Sequence, residues 1–166
     1  MAADADNADM TRRTPPLSFP VHIPFVQQLG FELHSLGHGE AELRVDLQEG
    51  HLNSWEVAHG GVLMTLLDVA MAHAARSVHR DQPGMGPGVV TVEMKTSFMR
   101  PGEGELRCHA KLLHRSTTMA FCEGSVFGGD GKLCAHATGT FKYLKALPTQ
   151  GRRVNPLTRT EPPANV

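Results

Sequence analysis

Residues 41–48 alternate apolar Ala41, Leu43, Val45 and Leu47 with polar Glu42, Arg44, Asp46 and Gln48. That period of two predicts a half-buried strand. The preceding GFELHSLGHG reads as a short partner strand closed by a glycine turn. A polar loop, QEGHLNSWEVA, follows, and then the period changes. Residues 60–79 open on two glycines and are apolar on nearly all sides, which predicts one long helix ended by the prolines and glycines of DQPGMGPG. Four more alternating segments come without another helix. In VVTVEMKTSFM, Val90, Val92, Met94 and Phe98 fall on one face, and Thr91, Glu93, Lys95 and Ser97 on the other. GELRCHAKLLHRS and TMAFCEGSVF continue the alternation, and GGDG turns the chain into KLCAHATGTFKYL.

A helix this apolar must be wrapped rather than laid on a surface. The order of elements predicts an α+β fold, one curved antiparallel sheet around one long central helix. The chain of 166 residues suits a single domain, expected over residues 20–145. Polar, Pro-rich residues 1–19 and 146–166 read as disordered tails.

Composition narrows the partners. Lys+Arg number 16 against 17 Asp+Glu, with no basic block, which argues against nucleic acid or an anionic membrane. Residues 1–16 lack the apolar core of a signal peptide, and no run has the length of a membrane span. Cys108, Cys122 and Cys134 lie in strand-like runs and read as reduced, buried thiols of a cytoplasmic protein. Ten histidines show no metal-ligand spacing, so no metal and no cofactor are expected. Cys134 and His136 share a strand face and read as ordinary packing.

The long helix carries two features that invite chemistry. Gly60 and Gly61 leave its first backbone N–H groups open to a ligand oxygen, as in an oxyanion site; close packing of the loop is the other reading. Asp68 sits among apolar residues, where burial raises a carboxyl pKa and suits it to act as base or nucleophile; a structural acid paired with another strand is the other reading. Eight residues separate Gly60 from Asp68, about 12 Å along a helix. One carbonyl cannot meet both on the same helix, because an oxyanion donor stands about 3 Å from its charge. Two copies side by side resolve this, so the catalytic reading predicts a homodimer with two sites at its interface.

Taken together, HLNSWEVAHGGVLMTLLDVAMAHAA and VVTVEMKTSFMRP resemble the PaaI-type branch of the hotdog-fold acyl-CoA thioesterases, over about residues 30–143. The resemblance implies a hotdog fold and hydrolysis of an acyl-CoA to free acid and coenzyme A, and it adds a dimer of dimers as a second assembly. It implies that the Gly60 amide polarises the thioester carbonyl, that Asn53 holds that carbonyl or the water, and that Asp68 of the opposite subunit activates water or attacks directly. Thr91 stands where relatives carry a water-positioning serine. His59 reads as a hydrogen-bonder at the helix start and, with Gly61, as part of the substrate site. Arg100 reads as either a phosphate contact or an ordinary solvated arginine. Met64, Met71, Met94, Met99 and Met119 suit an acyl pocket or plain core. A non-catalytic acyl-CoA-binding hotdog protein is the first rival, and a hotdog dehydratase or hydratase the second.

Overall fold

The computed structural model describes residues 15–82 and 85–144. A short helix α1 (Pro24–Gln28) precedes strands β1 (Glu32–Gly37) and β2 (Glu40–Asp46), and a 3-10 turn (Glu49–His51) leads towards the long helix α2 (Gly60–Ser77). Strands β3 (Gly88–Phe98), β4 (Glu105–Arg115), β5 (Met119–Phe127) and β6 (Leu133–Leu144) follow. They form one six-stranded antiparallel sheet in the order β1-β2-β4-β5-β6-β3. This is the hotdog architecture, with α2 against the sheet's inner face.

Alternation explains the packing. Ala41, Leu43 and Val45 of β2 are buried, as are Ala135, Ala137, Phe141 and Tyr143 of β6, and they meet Leu63, Leu66, Leu67, Ala70 and Met71 of the helix. Close approach is built into the sheet by glycines. A Cβ on Gly124 would come within 3.0 Å of Leu67 Cδ2, and one on Gly139 within 2.9 Å of the Phe141 ring and 3.2 Å of Met71 Cε. Both positions need glycine for α2 to lie this near β5 and β6.

Four details differ from the sequence reading. Pairing begins before Pro20, because the Leu17 N–H donates to the Leu33 carbonyl at 2.7 Å and Phe19 packs on the core. Helix α2 stops at Ser77, whose hydroxyl donates to Ala74 O and accepts from the Gly39 N–H, two residues short of the expected end. Helix α1 was not expected. The fourth difference is a bulge in β3 between Thr91 and Glu93. Thr91 pairs with Phe141, Met94 with Gly139 and Phe98 with Ala135, all inward positions of β6. The bulge therefore turns Thr91 to the face shared by Met94 and Phe98, and Val90 and Val92 do not share it. Val92 is 56% exposed. The expected tails, apart from 15–19, lie outside the described residues, as does Lys145.

Candidate active site

Helix α2 is not wrapped on every side. Gly60, Met64 and Asp68 follow one another at four-residue spacing and so share a stripe. Met64 is 40% exposed, while Asp68 is half-buried.

At the head of the stripe, His59 caps the helix: its Nδ1 accepts the Gly61 N–H at 2.9 Å. The Gly61 amide is thus engaged within the chain, while Gly61 itself lines the groove beside the helix start. The Gly60 N–H has no hydrogen-bond partner among the described residues. The Phe98 ring stands 3.5 Å from where a Gly60 Cβ would lie. The available donor is thus Gly60, with the macrodipole behind it.

Asn53 is held in the loop before the helix. Its Oδ1 accepts the Trp55 N–H at 2.9 Å and the Val57 N–H at 3.4 Å, and the Leu52–Ala58 bridge closes this loop. The acceptor end of the amide is therefore structural, and the NH2 end is the one that can face a carbonyl.

At the far end of the stripe, the Thr91 hydroxyl donates to Asp68 Oδ1 at 2.6 Å. Burial pushes the Asp68 carboxyl above its ordinary value, and the Thr91 hydrogen bond pulls it down in part. Only the β3 bulge lets this contact form. Gly60 and Asp68 remain about 12 Å apart by helical rise, so one chain brings Asp68 to Thr91 but not to Gly60.

Arg100 is not in this cluster. It lies past the end of β3, where its Nη1 donates to Leu133 O at 3.0 Å. There it lines a cleft of about 630 Å³ with Glu103, Asp130 and Lys132. Cys134 donates to Pro101 O, and His136 bonds the Ser125 hydroxyl at 3.0 Å, so the two make separate contacts. All three cysteines are buried and free, and burial pushes their thiols up, which leaves them poor nucleophiles. His73 is buried against Phe19 with its Nδ1 on Val69 O, and burial pushes it down to about 4. It is a neutral core imidazole.

Sequence reasoning missed the groove beside the helix start, about 340 Å³, lined by Phe25, Leu29, Leu52 and Val62 with His59 and Thr65. Helix α1 supplies Phe25 and its C-terminal cap supplies Leu29, and the helix is too short to leave a periodic signal. No helix among the described residues is long and apolar enough to cross a membrane.

The family model of the thioesterase superfamily matches residues 56–135, which take in Gly60, Asp68 and Thr91. The structure of the conserved protein PA5202 from Pseudomonas aeruginosa is 36% identical and superposes with a TM-score of 0.69, covering 75% of this chain and 97% of that one. The phenylacetic acid degradation protein PaaI from Thermus thermophilus is 29% identical, with a TM-score of 0.64 over 74% of this chain and 100% of that one. A thioesterase family protein from Silicibacter pomeroyi is 25% identical, with a TM-score of 0.67 over 74% and 90%. With its half-buried acid, open helix head and six-stranded wrap, the chain belongs to the thioesterase superfamily and is a PaaI-type hotdog protein.

Proposed function

We propose that the protein hydrolyses the thioester of an acyl-CoA at two equivalent sites, each shared between the subunits of a homodimer. The observation that carries this reading is the stripe Gly60–Met64–Asp68 beside a β3 edge that no described strand pairs with. Phe98 stands against Gly60 and Thr91 against Asp68. Antiparallel pairing of two β3 strands about a twofold axis between Met94 and Lys95 sets Phe98 of one copy opposite Thr91 of the other. The Gly60 amide of the first copy then approaches the Asp68 carboxylate of the second.

The chemistry follows from those two groups. Asp68 takes a proton from water, whose oxygen attacks the thioester carbon. Negative charge gathers on the carbonyl oxygen, where the Gly60 N–H and the Asn53 NH2 stabilise it; losing one such donor costs about 2.7–4 kcal/mol. The carbon–sulfur bond breaks, the thiolate leaves and takes up the proton, and the acid is released. Thr91 fixes the Asp68 carboxylate through Oδ1 and leaves Oδ2 for the water. A raised pKa suits a base working near neutrality. A non-catalytic binder has no use for such an acid beside the ester.

Two variants test the reading together. Asp68→Asn removes the base. Gly60→Pro removes the amide while keeping the helix, because proline suits the first helical position and His59 already holds φ −62° and ψ 137°, the extended backbone that precedes proline. Thiol release from acyl-CoA falls at least about a hundredfold in each, roughly 2.7 kcal/mol of barrier. Mixing the two dead proteins restores about a quarter of the wild-type rate, since half of randomly paired dimers carry one intact site. No recovery on verified mixing means that the groups do not act across an interface; full activity of Asp68→Asn means that Asp68 is not the base.

A further inference from the structure

A second cleft, of about 520 Å³, opens at the other end of α2 and is lined by His79, Pro87, Arg115, Ser116, Thr117 and Tyr143. Its lining carries no carboxylate. Arg115 makes no ion pair with any described residue. The Ser116 hydroxyl oxygen accepts the Thr118 and Met119 N–H groups at 3.2 and 3.0 Å, which leaves its proton to donate. Tyr143 gives its own hydroxyl proton to Ala75 O. That leaves Arg115, His79 and the Thr117 and Ser116 hydroxyls as the groups able to donate to a ligand, with Arg115 the one charged at neutral pH. The field there is positive: burial first, and then the Arg115 and Arg76 charges, hold His79 below its ordinary value.

The cleft lies at the start of the strand that carries Thr91. Pro87 leads directly into β3, and Thr91, four residues on, is the residue bonded to Asp68. Four residues of strand span about 13 Å, so an extended chain running along the start of β3 links the two places. We infer that this cleft, through Arg115, His79 and Thr117, binds the phosphate groups at the far end of the thioester's pantetheine arm, with Asp68 at the near end. This rests on the thioesterase reading above. Arginine provides a planar fork matched to phosphate oxygens, and a hydroxyl and an imidazole add donors. The cleft holding Arg100 is the poorer phosphate site, because Glu103 and Asp130 share its lining and repel an anion. Under this inference Arg115, and not Arg100, is the phosphate contact, and Arg100 keeps its other reading as an ordinary solvated arginine.

The test compares thioesters with one acyl group and three carriers: coenzyme A, 4′-phosphopantetheine and pantetheine. Arg115→Ala raises KM for acyl-CoA about tenfold, the size expected for a hydrogen bond to a charged group, with kcat little changed. The penalty shrinks to less than about twofold with acyl-pantetheine, which has no phosphate for the missing guanidinium. Arg115→Lys recovers part of the loss. Adenosine 3′,5′-bisphosphate competes with acyl-CoA for the wild type and less well for Arg115→Ala. A full penalty on acyl-phosphopantetheine identifies the linking phosphate, common to coenzyme A and carrier proteins, as the one held; a penalty confined to acyl-CoA identifies the nucleotide phosphates. Equal penalties with all three carriers overturn the inference. If the wild type cleaves none of the three, the thioesterase reading falls, and bisphosphate titration of wild type against Arg115→Ala still decides whether the cleft takes phosphate.

Discussion

Strand β1 has six residues, and its outer edge is met by Leu17, whose N–H donates to the Leu33 carbonyl at 2.7 Å. Strand β3 has eleven, and no described segment pairs with its outer side. Leu33 is wholly buried, whereas Val92 is 56% and Phe98 52% exposed. Both strands carry a bulge, but only that of β3 re-aims a side chain onto an acid. Long, apolar, unpaired edges are normally blunted, because they invite pairing with another chain. This chain closes one edge with its own N-terminal segment and leaves the other open beside the stripe that holds Gly60 and Asp68. The difference teaches where the proposed shared site would be completed: the edge left open is the one beside Gly60 and Asp68, and it is there that a second copy would pair.

The most damaging way to break that contrast is to charge the open side. Met64 lies midway between Gly60 and Asp68 and is 40% exposed in the single chain, so Met64→Glu leaves the fold intact. Under a second copy the new carboxylate is buried without a partner, which costs roughly 3–5 kcal/mol. The expected outcome is a monomer by sedimentation, an unchanged far-UV spectrum and thiol release reduced more than about a hundredfold. A Met64→Glu protein that stays dimeric and active removes the stripe from the interface.

A smaller change sharpens the role of the bulge. Thr91→Val keeps the shape of β3 and deletes the hydroxyl that holds Asp68. As the proposed base, Asp68 works only when ionised, so the rate is expected to fall as pH drops through its folded pKa. Burial has raised that pKa and the Thr91 hydrogen bond opposes the rise. Removing the bond raises it further, and the acid limb of the pH–rate profile moves to higher pH. At neutral pH the loss is about tenfold, in line with one hydrogen bond to a charged group. Thr91→Ser restores both rate and profile. An unmoved acid limb in Thr91→Val means that some other group sets it.

Much of this was legible before any coordinates. Alternation in residues 41–48 marked β2, and an apolar run opening on two glycines marked α2. The acid inside that run marked the candidate site, because its cost in an apolar setting demands a compensating role. The distance from Gly60 to Asp68 already meant that the catalytic reading calls for a second copy, which is the point the mixing experiment tests. The bulge was not legible. Val90, Val92 and Met94 look perfectly in phase, and only the paired strand shows that one residue between Thr91 and Glu93 is extra. Nor was the loss of the Gly61 amide, since histidine is not among the usual capping residues. Helix α1 has five residues, too few for a period to emerge. The basic cleft draws His79, Arg115, Thr117 and Tyr143 from three separate parts of the chain, and no spacing in the sequence brings them together.

The mildest test probes the closed edge. Leu17→Pro deletes the one N–H that Leu17 gives to Leu33, and proline is tolerated at sheet edges. Leu17 is 48% exposed, so little apolar burial is lost with it. The cost is about 1 kcal/mol, the net worth of one backbone hydrogen bond, seen as a melting temperature lower by roughly 2–4 °C. Dimerisation and turnover stay at the wild-type level, because β1 lies five strands away from β3 in the sheet. If Leu17→Pro instead dissociates the protein or abolishes turnover while the fold survives, the N-terminal segment is itself part of an interface. The contrast between a closed edge and an open one would then be lost.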